Sequence, residues 1–167
     1  TEGSIGTIFY PVDDGISKAK IKSLINISNK TKTPVLFSKS TYPYKSIGIL
    51  VNNDFGESTS NSIAFDLASS LSASLVAVNI TQPKFLQSED TAQLTDSLEK
   101  MQDLALSYEV QLDFENHEGN EAKIFSELSS NFDLSIVGNG KNQSWQSRKT
   151  TEFISNNSKS SVLYIPS

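Results

Sequence analysis

The sequence predicts an α/β protein: a doubly wound, mostly parallel five-stranded sheet with helices on both faces, preceded by an extra strand-helix-strand piece at the N-terminus. From residue 45 onward, short β-branched apolar runs alternate with segments of helical period, the pattern of parallel strands joined by crossover helices. Turn-forming stretches such as Asn52-Asn53-Asp54 separate them. Residues 133–167 also repeat residues 6–40 without a gap at an offset of 127, so that Ile27, Ser28, Asn29, Lys32, Val35 and Leu36 recur as Ile154, Ser155, Asn156, Lys159, Val162 and Leu163. That period is one small domain long. The chain therefore divides into 1–42, the C-terminal portion of a preceding repeat, and 43–167, a domain of the same kind.

Each element has its own signal. Strands are expected at 47–52, 75–80, 134–138 and 161–165, short runs rich in Val, Ile and Leu, and at 110–114, where apolar and polar residues alternate. Between the first two, Ile63, Leu67 and Leu71 with Ala64 and Ala68 fall at helical spacing over 59–73. Leu94, Leu98, Met101, Leu104 and Leu106 mark a longer helix over 91–107, with Glu99 and Asp103 on its solvent side. Ile124, Phe125 and Leu128 mark a helix over 121–130. A polar loop and a short helix join the last two strands. The front piece offers strands at 7–12 and 34–38 around a helix at 16–29, and these apolar strands need a neighbouring sheet to cover their edge.

Composition narrows the function. A net charge of −5 and a pI near 4.9 oppose a polyanion as main partner, so nucleic acid is not expected. Without cysteine the chain has neither disulfides nor thiolate metal ligands, and the single His117 makes no histidine cluster. The longest apolar runs reach about six residues against the ~20 that cross a bilayer, so no direct membrane insertion is expected. No signal-peptide pattern opens the sequence, and the absence of disulfides fits a cytoplasmic setting.

Three stretches carry a resemblance: Ile49-Leu-Val-Asn-Asn-Asp54 at the first strand end, Glu118-Gly-Asn-Glu-Ala122 before the fourth helix, and Val137-Gly-Asn-Gly140 through Val162-Leu-Tyr-Ile-Pro166 at the close. With these the chain resembles the universal stress protein family from about residue 44 to 166, and residues 6–42 resemble the closing third of the same fold. Nucleotide-binding members carry Gly, two residues, Gly, nine residues, then Gly and Ser or Thr. Here Gly138 and Gly140 are one residue apart, and nine residues beyond Gly140 stand Thr150 and Thr151 in place of Gly and Ser or Thr.

The resemblance implies a site for ATP or another adenine nucleotide formed by Asp54, Ile80, Gly138, Gly140, Thr150 and Thr151. In it Asp54 contacts the adenosine portion, and Asn79 and Ile80 line the adenine pocket by backbone atoms. Two glycines after a strand let backbone amides approach phosphate oxygens, and a hydroxyl at the next helix start adds a donor where the dipole favours an anion. Arg148 and Lys149, just ahead of that helix, add charge. The competing reading is structural: the glycines turn the chain, Thr150 or Thr151 caps the helix ahead of Glu152, and Asp54 belongs to a turn. Gly119 reads as a turn residue, His117 as a surface histidine, and Trp145 as either a contact residue or loop packing. In the front copy Pro11 and Asp13 stand where Gly138 and Gly140 do, so that copy has no phosphate loop.

Two functions follow. One is a regulatory sensor domain that binds an adenine nucleotide and passes its state to a partner, as a free tandem protein or as the cytoplasmic tail of a membrane transporter such as a cation/proton antiporter. The alternative is a non-nucleotide-binding dimerisation or interaction module. No catalytic constellation argues for an enzyme. The family pairs through its final strand, so a homodimer or an intramolecular pairing of the two repeats at 34–38 and 161–165 is expected.

Overall fold

The computed structural model describes residues 6–12, 15–51, 59–81, 91–138 and 145–166. Seven strands form one sheet: β1 (Ile8–Pro11), β2 (Val35–Ser38), β3 (Ser46–Val51), β4 (Ser74–Thr81), β5 (Leu112–Glu118), β6 (Leu134–Gly138) and β7 (Ser161–Ile165), in the order β1-β2-β7-β6-β3-β4-β5. Five helices connect them: α1 (Lys18–Thr31), α2 (Thr59–Leu71), α3 (Thr91–Ser107), α4 (Glu121–Leu128) and α5 (Trp145–Asn157). Every neighbouring pair of strands is parallel except β2 and β7, which run antiparallel. The doubly wound, mostly parallel sheet is thus present, and the front piece extends it rather than forming a sheet of its own.

The strands are apolar on both sides because helices cover both faces of their sheet. One core layer joins Ile47, Ile49, Leu75, Ala77 and Ile136 to Ala64, Phe65 and Ala68 of α2 and Met101 of α3. The other joins Leu50, Val78, Val137, Val162 and Tyr164 to Ile21 and Ile25 of α1, Phe125 of α4 and Ile154 of α5. Gly48 serves the second layer: a Cβ there would lie 2.3 Å from the Phe132 ring, so only glycine lets that ring lie on β3.

The repeat is exact in register. Ile8 pairs with Val35 in β1 and β2, and Ser135 pairs with Val162 in β6 and β7, each 127 positions later. Helices α1 and α5 start at Lys18 and Trp145, again 127 apart. Across the seam, Val35 faces Tyr164, Leu36 faces Leu163 and Phe37 faces Val162. Since Leu163 is the copy of Leu36, a local two-fold axis passes between them, and α1 packs on α5 across it.

Hydroxyls fasten the seam at one end. Ser161 Oγ accepts from the Lys39 amide at 2.9 Å and from Tyr44 OH at 3.2 Å, and lies 2.9 Å from Thr41 Oγ1. The Lys39 ammonium donates to the Ser158 carbonyl. Asp133 Oδ2 accepts from the amides of Lys45 and Ser46 at 2.8 and 3.0 Å, which sets the entry into β3.

Several boundaries differ from expectation. The third strand of the domain was expected at 110–114, but β5 runs Leu112–Glu118: Glu109 takes a left-handed φ of 54° and the Val110 amide bonds to the Ala105 carbonyl, so Val110 closes α3. The polar tail of β5 still pairs with Asn79, Ile80 and Thr81, because an edge strand accepts side chains that water reaches. Leu106 is 79% exposed, one residue out of phase with Met101, Leu104 and Ala105 on the face that packs. The helix expected to 130 ends at Leu128 and finishes in a 3-10 turn over Ser129–Asn131.

Candidate functional site

A doubly wound sheet opens a crevice where strand order reverses, beyond the carboxyl ends of its strands. Here β3 is that point, with β4 and β5 on one side and β6 and β7 on the other. The β3–β6 register pairs Ile49 with Ile136, and two residues further on it brings Val51 opposite Gly138. On the other flank Val51 pairs with Asn79, beside Ile80. Gly138 and Ile80 therefore lie about two strand spacings apart, ~10 Å, across the end of β3.

The floor of this end is held by polar pairs. Asn79, buried, donates from Nδ2 to Asn116 Oδ1 at 3.1 Å, and Thr81 Oγ1 donates to the His117 carbonyl at 3.3 Å. The Gly119 amide donates to the Thr81 carbonyl at 2.9 Å, which ties the start of α4 to the end of β4. Gly119 has φ 144° and its missing Cβ would stand 2.8 Å from Ile124 Cδ1, so the turn into α4 requires glycine. Asn120 caps α4 by accepting the Lys123 amide at 3.0 Å.

Glu121 follows in the first turn of α4, and burial pushes its carboxyl up to about 7. Sequence reasoning missed it. The Gly-turn was readable, but the desolvation of a carboxylate depends on segments distant in sequence. His117 Nε2 lies 3.0 Å from Glu115 Oε2 on the edge strand β5, with both side chains partly exposed. Among the described residues no group of His, Cys, Asp or Glu is arranged to hold a metal ion.

The expected site residues separate into three groups. Ile80 and Gly138 stand at the crevice. Asp54 and Gly140 lie outside the described residues, as do the connections that contain them. Thr150 and Thr151 are not at a helix start: α5 begins at Trp145, which puts them in its second turn, ~8 Å further along the axis. Thr151 is buried and its Oγ1 donates to the Ser147 carbonyl at 3.1 Å, so its hydroxyl is engaged within the helix. Arg148 and Lys149, expected ahead of the helix, are exposed within it, and Lys149 Nζ lies 3.9 Å from Glu152 Oε2. The signal for this start was one residue, Ser144 directly ahead of Trp145, a type that caps helices; the stretch from Trp145 to Lys149 adds no apolar period to it.

No protein-family model and no curated protein matches the sequence. Solved structures do. A universal stress protein in complex with cAMP aligns with a TM-score of 0.59 and 18% identity over 74% of this chain and 97% of its own. A universal stress protein from Archaeoglobus fulgidus aligns at 0.66 and 15% identity over 95% of this chain and 60% of its own. One described as putative, from Pseudomonas aeruginosa, aligns at 0.62 and 16% over 96% and 63%. The class that sheet order defines is thus the open, doubly wound α/β sheet with a crevice at its switch point. Within it, the chain has the universal stress protein fold, and it spans about three-fifths of the length of the two longer structures.

Proposed function

We propose that the chain is a regulatory domain of universal stress protein type that binds an adenine nucleotide in the crevice at the end of β3. The observation that carries this reading is the reversal of strand order at β3, with Gly138 and Ile80 on its two flanks. In it, Gly138 and Gly140 let the backbone approach the phosphates, the backbone near Ile80 borders the base, and Asp54 meets the ribose. The cAMP complex of a protein with the same fold supports an adenine ligand. Thr150 and Thr151 act in this reading by shaping α5, since the Thr151 hydroxyl is already engaged. No catalytic role is assigned, and the domain works by changing the surface it shows a partner.

Calorimetric titration with ATP, AMP and cAMP tests this. Saturable binding by at least one of them is expected, lost in Gly140→Val with the circular dichroism spectrum unchanged. Binding that survives Gly140→Val places the site elsewhere, and no binding of any of the three overturns the reading. The chain covers about three-fifths of two longer universal stress protein structures, which supports a place for this domain within a larger polypeptide; a cytoplasmic tail of a transporter such as an antiporter is one form this reading allows. A second reading, an interaction module without nucleotide, is favoured by the Thr151 bond and by the single residue between Gly138 and Gly140.

A further inference from the structure

One break in the two-fold symmetry of the seam lies between the helices and the seam strands. On α1, Asn29 Oδ1 accepts a 2.6 Å hydrogen bond from the Tyr164 hydroxyl of β7. The rotated counterpart sets Asn156 of α5 against Phe37 of β2, because Asn156 copies Asn29 and Phe37 copies Tyr164 at the 127-residue offset. Phe37 has no hydroxyl to donate. Asn156 instead lines a cavity of about 390 Å³ with Val12, Gly15, Ile16, Lys39 and Ser40, and its side chain makes no hydrogen bond among the described residues.

Lys39 brings a cation to the same cavity. Its amide is fixed on Ser161 Oγ and its ammonium leans on the Ser158 carbonyl, so the side chain is held in place. Burial, and then the neighbouring Lys159, hold its pKa below the usual lysine value. No carboxylate pairs with Lys39 among the described residues; Asp13 and Asp14, in the connection before Gly15, lie outside them. Two ammonium groups that repel each other, one of them half-buried, beside an amide with free donors, are what an anion would relieve. The closing copy has no such place, since Pro166 stands where Lys39 does.

We propose that this seam cavity binds a small oxyanion, a phosphate or a carboxylate, held by the Lys39 ammonium and the Asn156 amide, with the Ser40 hydroxyl as a further donor. The site is separate from the nucleotide crevice. Because β2 runs antiparallel to β7, the cavity sits at the amino end of β7, a full strand length of ~17 Å from the end where Gly138 lies.

Titration of the ¹⁵N-labelled chain with inorganic phosphate, and separately with acetate, at constant ionic strength tests the proposal. At least one anion should give saturable shifts at the amides of Gly15, Ile16, Lys39 and Ser40 and at the Asn156 side chain. Binding should weaken tenfold or more in Lys39→Met and in Asn156→Asp; the latter keeps the shape of the residue and so guards against a Lys39 variant that folds poorly. The anion that saturates identifies the ligand class. Shifts that fail to saturate with either anion, affinity unchanged in Asn156→Asp, or shifts centred on Gly138 would each overturn it.

Discussion

Residues 6–40 and 133–167 follow the same path, strand to helix to strand, in the same register, yet one copy sits at the rim of the sheet and the other within it. In the closing copy β6 has β3 on its free side and β7 has β2, and the residues of both strands are almost all buried. In the front copy β1 pairs only with β2 among the described residues, its exposure alternates, and Phe9 is 62% exposed. Equal backbone geometry therefore comes with unequal side chains. Where the closing copy has Gly138 the front copy has Pro11, which removes a donor from an edge that no described strand pairs with. The chain path is set by the shared apolar positions, and the divergent ones record what each copy faces.

The harshest way to break the comparison is to remove one copy. Deleting residues 1–42 strips β2 from β7 and α1 from α5, leaving Val162, Leu163 and Tyr164 at an open edge. Light scattering should show a less soluble, associating protein; a monomer as soluble as the full chain would mean that the seam shields nothing. Next in size, Phe37→Ala empties a fully buried site and should cost about 3–5 kcal/mol in urea denaturation. Its counterpart Tyr164→Phe keeps the buried ring, removes the hydroxyl bond to Asn29 and should cost about 1 kcal/mol. The reverse exchange, Phe37→Tyr, offers Asn156 the missing hydroxyl, and should lower phosphate affinity at the seam cavity if the two copies are chemically equivalent there.

Smaller effects sharpen the same contrast. Ser28 Oγ donates to the Thr33 carbonyl at 2.5 Å, whereas the equivalent Ser155 Oγ is buried with no partner among the described residues. Ser28→Ala should therefore destabilise by about 1 kcal/mol, and Ser155→Ala should be neutral or stabilising. Lys39 gives the smallest term, because its side chain is only half-buried. Its folded pKa lies below 10.5, so the unfolded chain binds more protons between the two values, and stability rises as pH rises through that window. Denaturation midpoints from pH 8 to 10 should rise more for the wild type than for Lys39→Met.

Much of this architecture was readable in the sequence. Strand 161–165 was found to the residue, because Ser161 and Ile165 bound an unbroken apolar run that serves a strand buried on both faces. The 127-residue repeat located β1, α1 and β2 from their better-marked copies. The site was less readable, for physical reasons. Ile80 and Gly138 end strands that apolar patterning reveals, but the helix was expected to start at Thr150 and Thr151 rather than at Trp145, because Ser144 is a single cap signal and residues 145–149 add no amphipathic stripe. Glu121 and Lys39 were missed since their character comes from burial by residues far away in the chain. Asn156 needed both the repeat and the Tyr164 bond to stand out.

The antiparallel seam also sets how the chain competes with its own copies. Only residues 39–45 join β2 to β3, and a tether that short holds one strand near its partner at an effective concentration in the millimolar range. A second chain offering the same β2 strand must reach that concentration to displace it. Below that concentration pairing within the chain is favoured at β7 over pairing between identical chains, and lengthening the tether, with no change to any contact, would weaken that preference.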